Sequence, residues 1–144
     1  MSMSLVEFDK YWWGAAGKPL LVPADPVRRH KGSLHVILFR RGSYQVEQVT
    51  LFPGHPVPSH RHPDVDTFEH ILTGSGVAHV GGRMIPQLPP VECRRPELSR
   101  YLIRSRDWHS GEATEITVAI SVQRWLHGVN PTFITDNWEG EPWP

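Results

Sequence analysis

PGHPVPSHRHPDVDTFEHILTGSGVAHVGG, from Pro53 to Gly82, is the stretch whose reading decides the fold. At its centre stands His60-Arg61-His62. Residues two apart on an extended strand point to one face. His60 and His62 therefore aim both imidazoles at one point, with Arg61 on the other side. Two neutral imidazoles converging in this way form half of a transition-metal site. A polar loop holding Asp64 and Asp66 follows. These acids read as turn residues, with the option of swinging toward the metal. The run Thr67 to Thr73 then alternates as a strand, with Thr67, Glu69 and Ile71 on one face. Glu69 is the acid best placed to join the histidines. Gly74-Ser75-Gly76 and Gly81-Gly82 read as two hairpin turns.

Gly54, the five residues HPVPS and the His60-x-His62 pair resemble the first motif of the small metal-binding cupins. That motif runs Gly, five residues, His-x-His, a short spacer, Glu, about six residues, Gly. Counting back from Gly74 puts its acid at Thr67, and counting back from Gly76 puts it at Glu69. The second cupin motif brings a third histidine on a later strand, which implies His109. Arg104 and Arg106 stand where that motif has Pro and Gly, and Ala113 where Asn is usual. The resemblance spans Val36 to Val122. It implies an all-β fold, a double-stranded β-helix or jelly-roll barrel of two antiparallel sheets. It further implies a metal held by His60, His62 and His109.

The chain has 144 residues, which suits one domain. The expected division is an N-terminal arm over 1–18, a barrel core over about 33–127 and a C-terminal tail over 128–144. The 15 basic and 15 acidic residues cancel, so no charge excess draws the chain to nucleic acid or an anionic membrane. No apolar run reaches the ~20 residues of a membrane span. The start MSMSLVEFDK lacks the order of a signal peptide. Cys93 stands alone, so an internal disulfide is excluded, and the composition fits a reducing cytoplasm.

The 14 prolines and 12 glycines break the chain often enough to favour many short strands over long helices. Arg28 to Gly32 reads as a basic turn. Leu34 to Arg40 and Tyr44 to Phe52 read as strands, the first apolar on both faces. Val77 to Val80, Arg83 to Ile85 and Arg100 to Arg104 are shorter ones. Pro86 to Pro96, with its prolines, reads as a loop or sheet edge, a surface connection or a rim over the site. Glu115 to Leu126 is the longest β-type run. Ile116, Val118, Ile120 and Val122 share one face, and Thr117, Ala119, Ser121 and Gln123 share the other, as a lumen with room for a ligand requires.

The remaining histidines carry weaker signals. His30, His35, His55 and His127 read as satisfied core or surface residues, and His70 points away from Glu69. His79 faces either way, and Trp108 reads as core. Phe8, Tyr11, Trp12 and Trp13 at one end, and Trp138 and Trp143 at the other, need surfaces to bury against. Either the chain's own barrel or a second subunit would supply them, and a homodimer is the expectation.

Three histidines leave a divalent ion its full charge and open positions. Fe(II) is favoured, with Zn(II), Ni(II) or Mn(II) possible. The leading expectation is an Fe(II) dioxygenase acting on a small diketone- or enol-type substrate, in distant similarity to the three-histidine β-diketone-cleaving enzymes. A redox-neutral lyase or isomerase with Glu69 as base is the alternative, and a non-catalytic ligand-binding cupin is the third. No nucleophile elbow, phosphate loop, dinucleotide fingerprint or paired-cysteine zinc pattern is present.

Overall fold

The structure, a computed structural model, describes residues 28–30, 33–87, 100–127 and 133–143. The aromatic arm (Phe8, Tyr11, Trp12, Trp13), Cys93 and most of the proline-rich segment lie outside the described residues. The described chain is almost all strand: β1 (Arg28–His30), β2 (Ser33–Arg41), β3 (Tyr44–Leu51), β4 (Val57–Arg61), β5 (Val65–Thr73), β6 (Gly76–Val80), β7 (Arg83–Gln87), β8 (Arg100–Ile103), β9 (His109–Ala113), β10 (Thr117–Trp125) and β11 (Glu139–Gly140). Ile134–Asp136 forms one 3-10 turn. The strands make two antiparallel sheets, ordered β1-β2-β3-β10-β5-β8 and β11-β4-β9-β6-β7.

Alternation decides which side chains face inward. On β10, Thr117, Ala119, Ser121 and Gln123 are all buried, and Ala119 and Ser121, whose small side chains leave room, line a cavity between the sheets. The sheets meet where Ala78 and Val80 pack on Ile103. Outside the six-stranded sheet, Leu34, Val36 and Leu38 cluster with Val46 and Ile120. This is why β2 reads apolar on both faces.

Three expectations change. Arg28–His30 is not a turn: it pairs with β2, Arg29 opposite Leu34. Gly74-Ser75-Gly76 is not a hairpin, because β5 and β6 belong to different sheets. The segment is a corner instead. Gly74 takes φ +90° hard against Ile116 and Thr117, and the Ser75 carbonyl accepts from Thr114 N at 2.9 Å and Thr117 Oγ1 at 3.0 Å. Trp108 is exposed rather than core, because its neighbour His109 takes the inward place and the two side chains alternate. Gly81-Gly82 does join a hairpin, with φ +54° and +79°. Pro86 lies in β7, an edge strand, where its missing N–H costs no ladder bond.

Candidate metal centre

His60 is the penultimate residue of β4, and register sets it directly opposite His109 on β9. His62 follows two residues on and folds to the same side. The three ligand nitrogens lie within 4.8 Å of one another, and no other described His, Cys, Asp or Glu joins them. Each ring gives its Nδ1 hydrogen to a backbone carbonyl, which can only accept. His60 donates to Pro58 at 2.7 Å, His109 to Asp107 at 3.0 Å, and His62 to Asn137. All three Nε2 atoms are therefore left as lone pairs facing one another.

The spacing of the His60 and His62 nitrogens fits a cation. His60 Nε2 and His62 Nε2 stand 3.1 Å apart. Two nitrogens at the usual Zn–N distance of about 2.0–2.1 Å from one ion are about 2.8–3.4 Å apart for angles from square to tetrahedral. Burial, then the charges of His109 and His62, pull the His60 pKa down to about 2. Burial and His109 bring His62 down to about 3, and burial lowers His109. At neutral pH no proton bridges the pair, and a metal ion is what would relieve the facing lone pairs.

The tail completes the site in cis. β11 pairs with β4, Gly140 opposite His60. Gly140 sits at φ +134° with His60 Cα so near that any Cβ would collide, so only glycine lets the strands approach. The Trp138 ring stacks on His60 at 3.5 Å and 4°, and Trp143 stacks on Trp138 in turn. On the outer side Arg61 bridges to Glu139 at 2.7 Å and lies over Trp108. Sequence reasoning expected the tryptophans to dock, but not the backbone acceptor at Asn137, which carries no side-chain signal.

The histidines open onto a cavity of about 100 Å³. Glu69 lines it, as its shared face with Thr67 and Ile71 requires. It lies outside the histidine cluster and accepts from Ser121 Oγ at 2.6 Å. Burial, and then the charge of Glu47, push its pKa up to about 7 against the pull of that hydrogen bond. Burial and Glu69 also hold Tyr101 above its ordinary value, so it stays protonated. Asp66 is in β5 rather than a loop and accepts from Ser105 N at 3.0 Å. Asp64 faces His127 at 3.5 Å. Neither reaches the histidines. His79 is exposed, whereas His35 lines the cavity with its Nδ1 2.6 Å from Glu47. The inward polar positions Gln45 and Glu47 on β3 are the sequence signal for that partner.

The described chain superimposes on several solved structures. KdgF from Halomonas sp. matches with TM-score 0.59 at 14% identity, over 69% of this chain and 86% of that one. An RmlC-like cupin from Shewanella frigidimarina gives 0.59 at 10% identity, over 70% and 84%. A cupin-2 domain protein from Rhodospirillum rubrum gives 0.55 at 20%, over 78% and 74%. The fold is that of the cupins. No protein-family model matches the chain, and no curated protein matches its sequence. Cupin architecture thus accounts for the two sheets and the histidine position between them, while the identities are too low to carry an activity across.

Proposed function

We propose that this cupin is a mononuclear metal-dependent enzyme that transfers protons on a small substrate chelating through oxygen. The supporting observation is the convergence of three Nε2 lone pairs, each ring fixed by a backbone carbonyl, at the mouth of a cavity that holds a carboxylate. His60, His62 and His109 would hold the ion. A bound divalent ion supplies Lewis acidity or, as Fe(II), redox chemistry with dioxygen.

Glu69 is the proposed base. Ser121 fixes one carboxylate oxygen and leaves the other for substrate. A carboxylate with its pKa near 7 takes a proton from an acidified substrate position and returns it at neutral pH. Trp138 and Trp143 line the cavity, and their apolar rings would limit water there. This is a lyase or isomerase reading. An Fe(II) dioxygenase acting on a diketone- or enol-type substrate is the second reading, supported because among the described residues no carboxylate joins the three neutral histidines and the ion would keep its full charge.

Two assays on metal-loaded protein separate these readings. Anaerobic Zn(II) protein should wash solvent deuterium into one of a panel of 2-oxo acids and 1,3-diketones, and Glu69→Gln should abolish it. Oxygen uptake by the Fe(II) form alone, without exchange, would favour the dioxygenase. Metal bound with neither reaction would leave a ligand-binding cupin and contradict the enzymatic reading.

A further inference from the structure

The tail that completes the metal centre also rests on a buried acid of the six-stranded sheet. Glu47 of β3 is fully buried. Its Oε1 stands 2.6 Å from His35 Nδ1 on β2. Its Oε2 accepts from Gln123 Nε2 on β10 at 3.1 Å and from the Ile134 N–H at 3.4 Å. The first two partners lie on the neighbouring strands of the same sheet. The third belongs to the tail, 87 residues along the chain. A carboxylate is costly to bury unless donors meet it. One of the donors that meet this one is the backbone of the segment that orients His62.

Ile134 opens the 3-10 turn Ile134–Asp136. Its side chain packs with Val65 and Trp125, an apolar contact that holds the turn down but sets no direction. Direction comes from the backbone. The Ile134 carbonyl accepts from Asn137 N at 3.2 Å, and the Asn137 carbonyl takes the Nδ1 hydrogen of His62. Three hydrogen bonds thus run in one sense: His62 to Asn137, Asn137 to Ile134, Ile134 to the Glu47 carboxylate. Bonds in such a series polarise one another. A carboxylate on the far nitrogen of a metal-binding histidine fixes the ring and raises its basicity. Here two peptide units stand between the acid and the ring. We infer that Glu47 is a positioning residue of the metal centre, which sets the His62 ring by anchoring the tail turn. The inference rests on the metal-site reading and gives a role to an acid that lies outside the histidine cluster.

The series is best cut from the tail side. Ile134→Pro removes the N–H and leaves Glu47 its two bonds within the sheet. Phe133, at φ −117° and ψ 151°, already has the backbone that a residue before proline requires, and the first position of a helical turn accepts proline. Ile134→Ala controls for the lost side chain. By calorimetric titration of the full chain, Ile134→Pro should bind Zn(II) about tenfold more weakly than Ile134→Ala. In chains lacking residues 137–144, and with them the Asn137 carbonyl, the two should bind alike. Equal affinities in the full chain, or the same gap in both backgrounds, would overturn the inference. Glu47→Met should lose as much as Ile134→Pro, and Glu47→Gln, which keeps an acceptor oxygen, should recover most of it. A folded Glu47→Met with wild-type affinity would overturn the inference too, and if that variant does not fold, the Ile134 comparison still decides.

A second arm needs no metal. Glu141 N donates to Ser59 O at 3.0 Å, so its exchange with solvent deuterium reports whether the tail lies on the barrel. In metal-free protein this amide should exchange about tenfold faster in Ile134→Pro than in Ile134→Ala, the worth of one buried hydrogen bond, while the β10 amides keep their protection. Equal exchange would overturn the inference even if no metal binds. Faster exchange with no Zn(II) uptake by the wild type would support the anchor and remove the metal reading instead.

Discussion

The Nδ1 hydrogen of His62 ends on the carbonyl of Asn137, 75 residues away along the chain. His60 and His109 instead use carbonyls two residues back, at Pro58 and Asp107. Two of the candidate ligands are thus oriented by backbone just ahead of them, and the third by the tail. His60 and His62 were legible because strand periodicity brings residues two apart to one face, and His109 through the resemblance to the second cupin motif. The backbone acceptors were not, since any residue type supplies a carbonyl. Glu69 yields a prediction at this scale. Its pKa is raised to about 7 from 4.5, so between those values the metal-free folded state holds more protons than the unfolded one. Stability from this group is present at low pH and is lost as pH rises through that window. The lowered histidine values act in the opposite sense below pH 6.5, so the difference between variants isolates Glu69. Glu69→Gln should gain stability relative to wild type by up to about 3 kcal/mol as pH goes from 4.5 to 7. Denaturant midpoints across that range check it, and a constant difference would contradict the assignment.

β11 is only two residues long, yet it ties Trp138, Asn137 and Gly140 to the ligand strand β4. Deleting residues 137–144 should weaken metal binding about 10–100-fold, as loss of an outer-shell partner does. Calorimetric titration of Zn(II) measures it, and unchanged affinity would make the tail dispensable. Trp138→Ala should cost about 0.5–1.5 kcal/mol of stability beyond its lost burial, from the His60 stack. The long strands β5 and β10 were readable from their alternation, and β2 from its continuous apolar run. A two-residue strand has no alternation to read. The Gly74–Gly76 corner was misread for a related reason: glycine signals that the chain bends, but not whether the next strand stays in the same sheet.

Across the outer face of the six-stranded sheet runs an apolar row of register neighbours: Phe39, Val46, Val122, Phe68 and Leu102. Phe39, Phe68 and Leu102 are each at least 40% exposed. We propose that a second copy of the chain covers this row, as the homodimer expected from the sequence. Light scattering at micromolar concentration should give about twice 16.4 kDa, and Phe68→Lys should lower it to the monomer. A monomeric wild type would contradict it. Because the tail docks on its own barrel, the 137–144 deletion should leave the mass unchanged.

The metal centre underlies the whole functional reading, and stoichiometry addresses it most directly. Purified protein stripped with chelator and titrated with Zn(II) should take up one ion per chain, and the His60→Ala, His62→Ala double variant should take up none while keeping its β-type circular dichroism. Undiminished uptake by a folded double variant, or no uptake by wild type, would contradict the three-histidine site.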